Sequence, residues 1–154
     1  MSESRVQHNW WALLVATIVA FLFAAGWYSA LMPQWLKGVD RTTEWFKATG
    51  VPGWVSPLGA FALTFLMAIA ISCVTQLTGP QTPMRGMRVG FLLWLGMIVP
   101  AFGTEYLYEL RPFMFVINAG FNLVAMVAMG IIIGVWKKKG VPVASPDRIK
   151  AVVS

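Results

Sequence analysis

Three charged side chains, Glu105, Glu109 and Arg111, lie in the stretch GTEYLYELRP between two long apolar segments. On a continuous helix Glu105 and Glu109 would share one face, and like charges four residues apart are unfavourable on their own. Such a pair needs a cation or a shared proton, and Arg111 is the nearest cation in the sequence. Two interpretations follow. The three charges form either a charge-satisfied corner that fixes how two helices meet, or a partly dehydrated acid that binds a cation or carries a proton.

The elements that must position these residues are helices that cross a membrane. The chain has 154 residues, of which 58% are hydrophobic and 12% are charged, against about 25% charged in a typical soluble domain. With the lone histidine counted as neutral, four runs carry no charge: residues 6–36, 48–84, 89–104 and 112–136. Because about 20 apolar residues cross a bilayer, the sequence predicts an all-α, polytopic integral membrane protein with four transmembrane helices in an antiparallel bundle.

The predicted organisation is one transmembrane domain, residues 1–136, followed by a basic cytoplasmic tail, residues 137–154, which is expected to be mobile. The spans are predicted at about residues 10–32, 57–77, 89–110 and 112–136. The first apolar run is longer than that of a signal peptide, so it is expected to remain as a helix. The loop 33–56 is predicted to lie in the membrane interface as an amphipathic segment or, alternatively, to cover a cavity as a lid.

The third span poses a problem of length. Its 16 uncharged residues, 89–104, make only about 24 Å of helix, whereas the hydrocarbon core is about 30 Å thick. Either the bilayer thins locally, or the helix continues and Glu105 points inward among its neighbours.

The distribution of Lys and Arg predicts the orientation. The side with both termini and the second loop has eight of these residues, and the other side has four. The side richer in Lys and Arg is expected to be cytoplasmic. Basic residues beside helix ends have anionic lipid as their nearest partner, so membrane lipids and not nucleic acid are expected to account for the net charge of +6. The residues expected to contact anionic lipid are Arg85, Arg88, Lys137, Lys138 and Lys139.

Packing explains several other polar and small residues. Gly130 and Gly134, spaced as Gly-x-x-x-Gly, allow another helix to approach closely, within the chain or in a homo-oligomer. Asn118 and Asn122 share one helix face, and they either form hydrogen bonds between helices or line a polar cavity. With one His (His8) and one Cys (Cys73) in the chain, we expect no metal site and no cofactor, and Cys73 is interpreted as an apolar filler.

Two segments carry a family resemblance. GWYSALMPQW, at the end of the first span, and LYELRPFMFVINAGFNLVAMVAMGIIIGVW, which includes the fourth, resemble the uncharacterised bacterial membrane family known as domain of unknown function 1761. In that family the first helix ends in a pattern like Gly-x-x-Trp-Tyr-Ser, and this chain departs slightly from it because Trp27 directly follows Gly26. The resemblance implies a four-span architecture and no particular activity. The matching positions are Trp27, Tyr28, Ser29, Glu109, Arg111, Pro112 and Asn118.

These observations define a candidate polar corner, which consists of Glu105, Glu109, Arg111, Asn118, Tyr28 and Ser29. The function expected first is that of a non-catalytic accessory, lipid-binding or oligomeric component of the bacterial cytoplasmic membrane. Its expected partner is a second copy of the chain or another membrane protein. The alternative is a small oligomeric transporter or channel that uses Glu105, Glu109 and Arg111. A second alternative is an enzyme at the outer interface, although no nucleophile or metal set accompanies the carboxylates.

Overall fold

The computed structural model describes residues 8–136, and within that range it contains helices and no strand. The helices are α1 (Trp10–Ala30), α2 (Met32–Val39), α3 (Thr43–Ala48), α4 (Val55–Leu77), α5 (Pro83–Tyr108) and α6 (Pro112–Val135). Four of them, α1, α4, α5 and α6, are long and apolar enough to cross a membrane. The prediction of an all-α fold with four such helices is therefore confirmed. The predicted tail, residues 137–154, lies outside the described residues.

The bundle has two ends, which differ in what they contain. The terminal end holds the start of α1, the end of α4, the start of α5 and the end of α6. At this end the side chain of Asn9 caps α1 by accepting the Ala12 N–H at 3.3 Å, and it donates to the carbonyl of Trp136 at 3.2 Å. The loop end holds α2, α3 and the connection between α5 and α6.

The third long helix begins six residues earlier than predicted. Thr82 accepts the backbone N–H of Arg85 at 3.2 Å, and Pro83 follows at the first helical position, where its missing N–H costs nothing. The resulting helix has 26 residues, about 39 Å at 1.5 Å per residue. The helix as a whole is therefore longer than the hydrocarbon core of about 30 Å. Glu105 lies in the last turns of α5 and is exposed, so it does not point inward.

Helix α5 contains one widened turn, a π-helical segment at Trp94–Ile98. The N–H of Val99 donates to the carbonyl of Trp94, five residues back, and Pro100 comes next. In a regular α-helix the ring of Pro100 would clash with the carbonyl of Gly96. The wider turn relieves this clash, so α5 continues past the proline.

A tight reversal joins α5 to α6. Leu110 adopts a left-handed backbone conformation with φ 54°, and the N–H of Arg111 donates to the Tyr106 carbonyl at 3.0 Å. Helices often end in this way, but with glycine at the left-handed position; a side chain there costs about 1–2 kcal/mol. Pro112 then starts α6 with the fixed φ that suits a first helical residue.

Helix α6 contacts each of the other three long helices, α1, α4 and α5, whereas α1 and α5 make no comparable contact with each other. Its most extensive contact is with α5. The apolar core lies among α1, α4, α5 and α6, and its buried side chains include Leu13, Ala16, Ala68, Ile71, Val89, Met126, Met129 and Ile133.

Four glycines bring α5 and α6 into backbone contact, and we call Gly86, Gly90, Gly130 and Gly134 the glycine seam. A Cβ added to Gly86 would overlap the carbonyl of Gly130, and one added to Gly130 would overlap the carbonyl of Gly86. A Cβ added to Gly90 would likewise overlap the Met126 carbonyl, and one added to Gly134 would overlap that of Thr82. Gly86-x-x-x-Gly90 has the same spacing as Gly130-x-x-x-Gly134, so each helix presents one such motif to the other.

The loop end is ordered by aromatic side chains. Trp35 of α2 stacks on Phe46 of α3 with 5.9 Å between ring centroids, and Arg41 lies 4.6 Å above the ring of Trp45. Hydrogen bonds from its own backbone N–H and from Thr42 and Thr43 hold the pKa of the exposed Glu44 below its usual range. The predicted interfacial segment thus consists of two short helices, of which α2 packs against α6.

Candidate functional site

A chain of three polar side chains connects α1, α6 and α5 near the loop end. The hydroxyl of Tyr28 donates to Oδ1 of Asn118 at 2.8 Å, and Nδ2 of Asn118 donates to the hydroxyl of Tyr106 at 2.7 Å. Asn118 is buried, and side chains of the two neighbouring helices satisfy both of its polar atoms. The Tyr106 hydroxyl accepts a hydrogen bond from Asn118, so its own proton is free to be donated to another acceptor.

Two indoles hold α6 on either side of this polar chain. The Nε1–H of Trp27 donates to the Ile117 carbonyl at 3.1 Å, and that of Trp94 donates to the Ala119 carbonyl at 2.8 Å. Both bonds cross between helices, and the widened turn of α5 begins at Trp94. The backbone around Asn118 is therefore fixed from α1 and from α5.

Arg111 does not pair with a glutamate. Its Nη1 donates to the backbone carbonyl of Gly38 in α2 at 2.6 Å. Glu105 and Glu109 are both exposed. The pairing of Arg111 with one of these carboxylates, which the sequence suggested, is therefore not present in this structure. The reason is the reversal at Leu110, which places Arg111 at the start of α6, beside α2.

Arg111 lines a cavity of about 450 Å³ between α2 and the start of α6. We call it the basic cavity, because its two charged lining residues are Lys37 and Arg111 and no carboxylate is among its lining residues. Lys37 is exposed at the rim and Arg111 is half-buried. The other residues that line it are Gln34, Gly38, Leu110, Pro112, Phe113 and Met114.

A second cavity of about 450 Å³ lies between α5 and α6, and we call it the apolar groove. Its lining is Val99, Gly103, Tyr106, Leu107, Leu110, Pro112 and Phe115. Tyr106 supplies the one side-chain hydroxyl of this lining. Leu110 and Pro112 line both cavities, so the strained reversal of the chain separates the basic cavity from the apolar groove.

The structure brings together only part of the predicted polar corner. Tyr28 and Asn118 are in contact, and Arg111 lines the basic cavity, whereas Ser29, Glu105 and Glu109 are exposed. Neither glutamate lines the two cavities described above.

Two residues of the site were missed from the sequence. Tyr106 lies between the two glutamates in the stretch GTEYLYELRP, and Lys37 is one of the four basic residues on the side opposite the termini. A signal existed for Tyr106, since a tyrosine near a helix end offers a polar tip on an apolar body.

The residues predicted to contact lipid at the terminal end have different surroundings. Arg88 is exposed, but Nη1 of Arg85 donates to the carbonyl of Pro80 at 2.6 Å, across the turn between α4 and α5. Lys137, Lys138 and Lys139 lie outside the described residues. Among residues 8–136, no group of three or more His, Cys, Asp or Glu side chains is arranged to hold a metal ion.

These features define a class, an all-α polytopic bundle with four helices suited to a membrane and a basic cavity beside an apolar groove at its loop end. Residues 11–134 match the family described as Protein of unknown function (DUF1761), and the chain belongs to this family. The resemblance seen in the sequence is thereby confirmed. No curated protein and no solved structure matches the chain.

Proposed function

We propose that this protein is a non-catalytic integral membrane component that binds an anionic phospholipid at its loop end. The observation that carries the proposal is the basic cavity, in which Lys37 and Arg111 occur without a carboxylate and which shares two lining residues with the apolar groove. The volume of each cavity lies within the range of about 300–1,000 Å³ that is usual for ligand sites.

The chemistry of the basic cavity suits a phosphate group. An arginine side chain carries five N–H donors, and Arg111 uses Nη1 to hold α2 through Gly38. Its other donors remain for a phosphate oxygen, and the ammonium of Lys37 adds a second cation at the rim. This pair of cations favours a lipid whose headgroup has a negative phosphodiester and no positive group of its own.

The apolar groove suits the acyl part of the same lipid. A chain beside Val99, Gly103 and Phe115 would cover apolar surface that the bundle leaves open. The free proton of Tyr106 lies on this groove, where it is able to donate to an ester carbonyl at the junction of headgroup and chain.

The membrane and the orientation belong to this proposal. We place the protein in the cytoplasmic membrane of a bacterium with both termini in the cytoplasm, which puts the loop end at the outer leaflet. Arg88 and the basic residues that follow α6 would then contact anionic lipid at the inner leaflet. The expected partner is a second copy of the chain or another membrane protein, which would bind part of the surface that otherwise faces lipid.

Native mass spectrometry of the detergent-purified protein tests the headgroup site. The protein is given phosphatidylglycerol and phosphatidylcholine in equal amounts, and the bound lipids are counted. Each charge-assisted hydrogen bond is worth about 1.5–3 kcal/mol. The double variant Lys37→Gln, Arg111→Gln should therefore bind phosphatidylglycerol at least about tenfold more weakly, since 1.4 kcal/mol is a factor of ten. Its preference for phosphatidylglycerol should fall as well, because phosphatidylcholine offers the same phosphate but carries its own ammonium, which the two cations disfavour.

Two controls make this test specific. Lys47→Gln removes an exposed cation of α3 that does not line the cavity, and it should leave the preference unchanged. Gly103→Trp fills the apolar groove and should reduce binding of both lipids, whereas Gly59→Trp, on open surface of α4, should not. Equal loss of preference in Lys47→Gln and in the double variant would contradict a headgroup site in the basic cavity.

A further inference from the structure

The single cysteine and the single histidine of the chain meet at the terminal end. Sγ of Cys73, one turn before the end of α4, lies 3.7 Å from Nε2 of His8, just before α1. The two residues are 65 positions apart in sequence. This contact lies at the opposite end of the bundle from the basic cavity and the apolar groove, so it is independent of the lipid site.

A third residue orients the histidine. Nδ1 of His8 lies 3.3 Å from the hydroxyl oxygen of Ser72, which also accepts a hydrogen bond from Nε2 of Gln76 at 3.0 Å. Ser72 is buried, so its position is fixed. With the His8 proton on Nδ1, the imidazole donates to Ser72 and turns the lone pair of Nε2 toward the thiol of Cys73.

The backbone at the start of α1 holds the imidazole in place. Asn9 caps α1 and also binds the carbonyl of Trp136, so the chain on the C-terminal side of His8 is anchored. The ring of Trp10 lies 5.6 Å from that of His8 and stacks on Phe65 of α4. A nucleophile, a base within reach of it and a group that orients the base form the arrangement that activates nucleophiles in covalent catalysis.

The position of the thiol indicates what could reach it. Cys73 and His8 are each half-buried, so neither residue is enclosed in the core. Cys73 lies four residues from Leu77, the last residue of α4, about 6 Å along the helix axis. With the end of α4 at the membrane surface, as proposed above, this depth corresponds to the boundary between headgroups and hydrocarbon. A molecule with a polar head and an acyl chain places its ester or thioester group there.

We propose that Cys73 is an S-acylation site that accepts a fatty acyl group from an acyl thioester, with His8 as its general base. Sγ attacks the carbonyl carbon of the donor, forming a new carbon–sulfur bond, and the bond from that carbon to the donor sulfur breaks. The thiol proton passes to Nε2 of His8 and then to the departing sulfur. The products are acyl-Cys73 and a free thiol, and no electron transfer is involved.

The experiment uses the full chain in detergent micelles and an alkyne-tagged palmitoyl-coenzyme A as the acyl donor. Labelling should occur at Cys73, should be reversed by hydroxylamine and should be absent in Cys73→Ser. His8→Gln should slow labelling by about 10²-fold, the usual contribution of a general base. Ser72→Ala keeps both reacting groups but loses the orienting contact, so it should show a smaller decrease.

A matched control separates activation from mere exposure. In the variant Cys73→Ser, Leu77→Cys the thiol lies one turn further along α4, at a residue that is 73% exposed, and without His8 beside it. This variant should label at the slow rate of His8→Gln. The rate of alkylation by iodoacetamide is measured in parallel, and His8→Gln should slow alkylation as well as acylation.

Each result either supports or overturns the proposal. Fast acylation that depends on His8 supports it. Equal acylation of the Leu77→Cys variant and the unaltered protein would overturn it, as would an unchanged rate in both His8→Gln and Ser72→Ala. Fast alkylation without acylation would leave a reactive thiol and refute the acyl group as its substrate.

Discussion

The glycine seam offers the sharpest test of the fold, through the substitution Gly130→Ala. A methyl group at this position would overlap the backbone carbonyl of Gly86. Backbone atoms of two long helices cannot yield as a flexible side chain does. The helices α5 and α6 must therefore move apart, and they make the most extensive helix contact of the bundle.

The size of the effect follows from this geometry. Restoring ordinary contact between the new methyl and the carbonyl requires a separation of about 1.3 Å or more, and a gap of about 1 Å already forfeits a quarter to a half of the dispersion attraction of each facing pair. Overpacking of a tight interior costs about 1–3 kcal/mol. We expect Gly130→Ala to lower the free energy of unfolding by about 2–3 kcal/mol.

The same substitution elsewhere should have the opposite sign. A methyl added at Gly59 of α4 meets no atom within 4 Å. There alanine only reduces the freedom of the unfolded chain and improves helix propensity, a gain of about 0.5–1 kcal/mol. Gly59→Ala therefore controls for every general effect of a glycine-to-alanine change in a long helix.

Unfolding by sodium dodecyl sulfate in bicelles, followed by tryptophan fluorescence, measures both variants. The double variant Gly86→Ala, Gly130→Ala should cost less than the sum of its parts, because the first methyl already opens the seam for the second. If Gly130→Ala and Gly59→Ala shift stability equally, or if the two seam substitutions simply add, α5 and α6 do not approach as closely as described.

Three further predictions concern the loop end and the orientation. Asn118→Ala leaves the hydroxyls of Tyr28 and Tyr106 without their partner, and it should cost about 1–3 kcal/mol in the same unfolding assay; a cost no greater than that of the exposed Ser29→Ala would contradict the polar chain. Arg111→Gln and Glu109→Gln should add within about 0.5 kcal/mol in a double-mutant cycle, because Arg111 binds the Gly38 carbonyl; coupling above 1 kcal/mol would restore the ion pair expected from the sequence. Cysteine labelling of intact cells, in a Cys73→Ser background, should reach a cysteine at position 47 from outside and one at position 138 only from the cytoplasm, and the reverse pattern would refute the proposed orientation.

The sequence predicted the number of long helices because hydrocarbon imposes a requirement that composition alone reveals, four charge-free runs of sufficient length. It misplaced the start of α5 because Arg85 and Arg88 were interpreted as marks of the membrane boundary. The local signal was Thr82-Pro83, a capping residue followed by proline. Charge pattern and capping pattern disagreed there, and capping decided where the helix begins.

The candidate site was harder to predict, because its contacts depend on where the chain turns. Arg111 follows Glu109 by only two residues, so the sequence alone favours an ion pair between them. The left-handed conformation that separates them falls on Leu110, a residue type with no preference for it. His8 and Cys73 present the complementary case. Topology places the start of α1 and the end of α4 at the same end of the bundle, but only the register of the two helices brings Nε2 to Sγ.

Between its two polar ends, the described bundle contains little that could conduct an ion or a proton. The buried hydroxyls of Thr17 and Thr75 donate to carbonyls of their own helices, Leu13 and Ile71. Around them lie the apolar core and the glycine seam, where the backbones of α5 and α6 are in contact. A path across the membrane would therefore need a second copy of the chain or another protein to supply its polar lining. The carboxylates that first suggested transport, Glu105 and Glu109, lie on the exposed surface, where such a partner could reach them. For the single chain, the groups able to do chemistry lie at the two ends of the bundle, with cations and a free hydroxyl proton at the loop end and a thiol beside an imidazole at the terminal end.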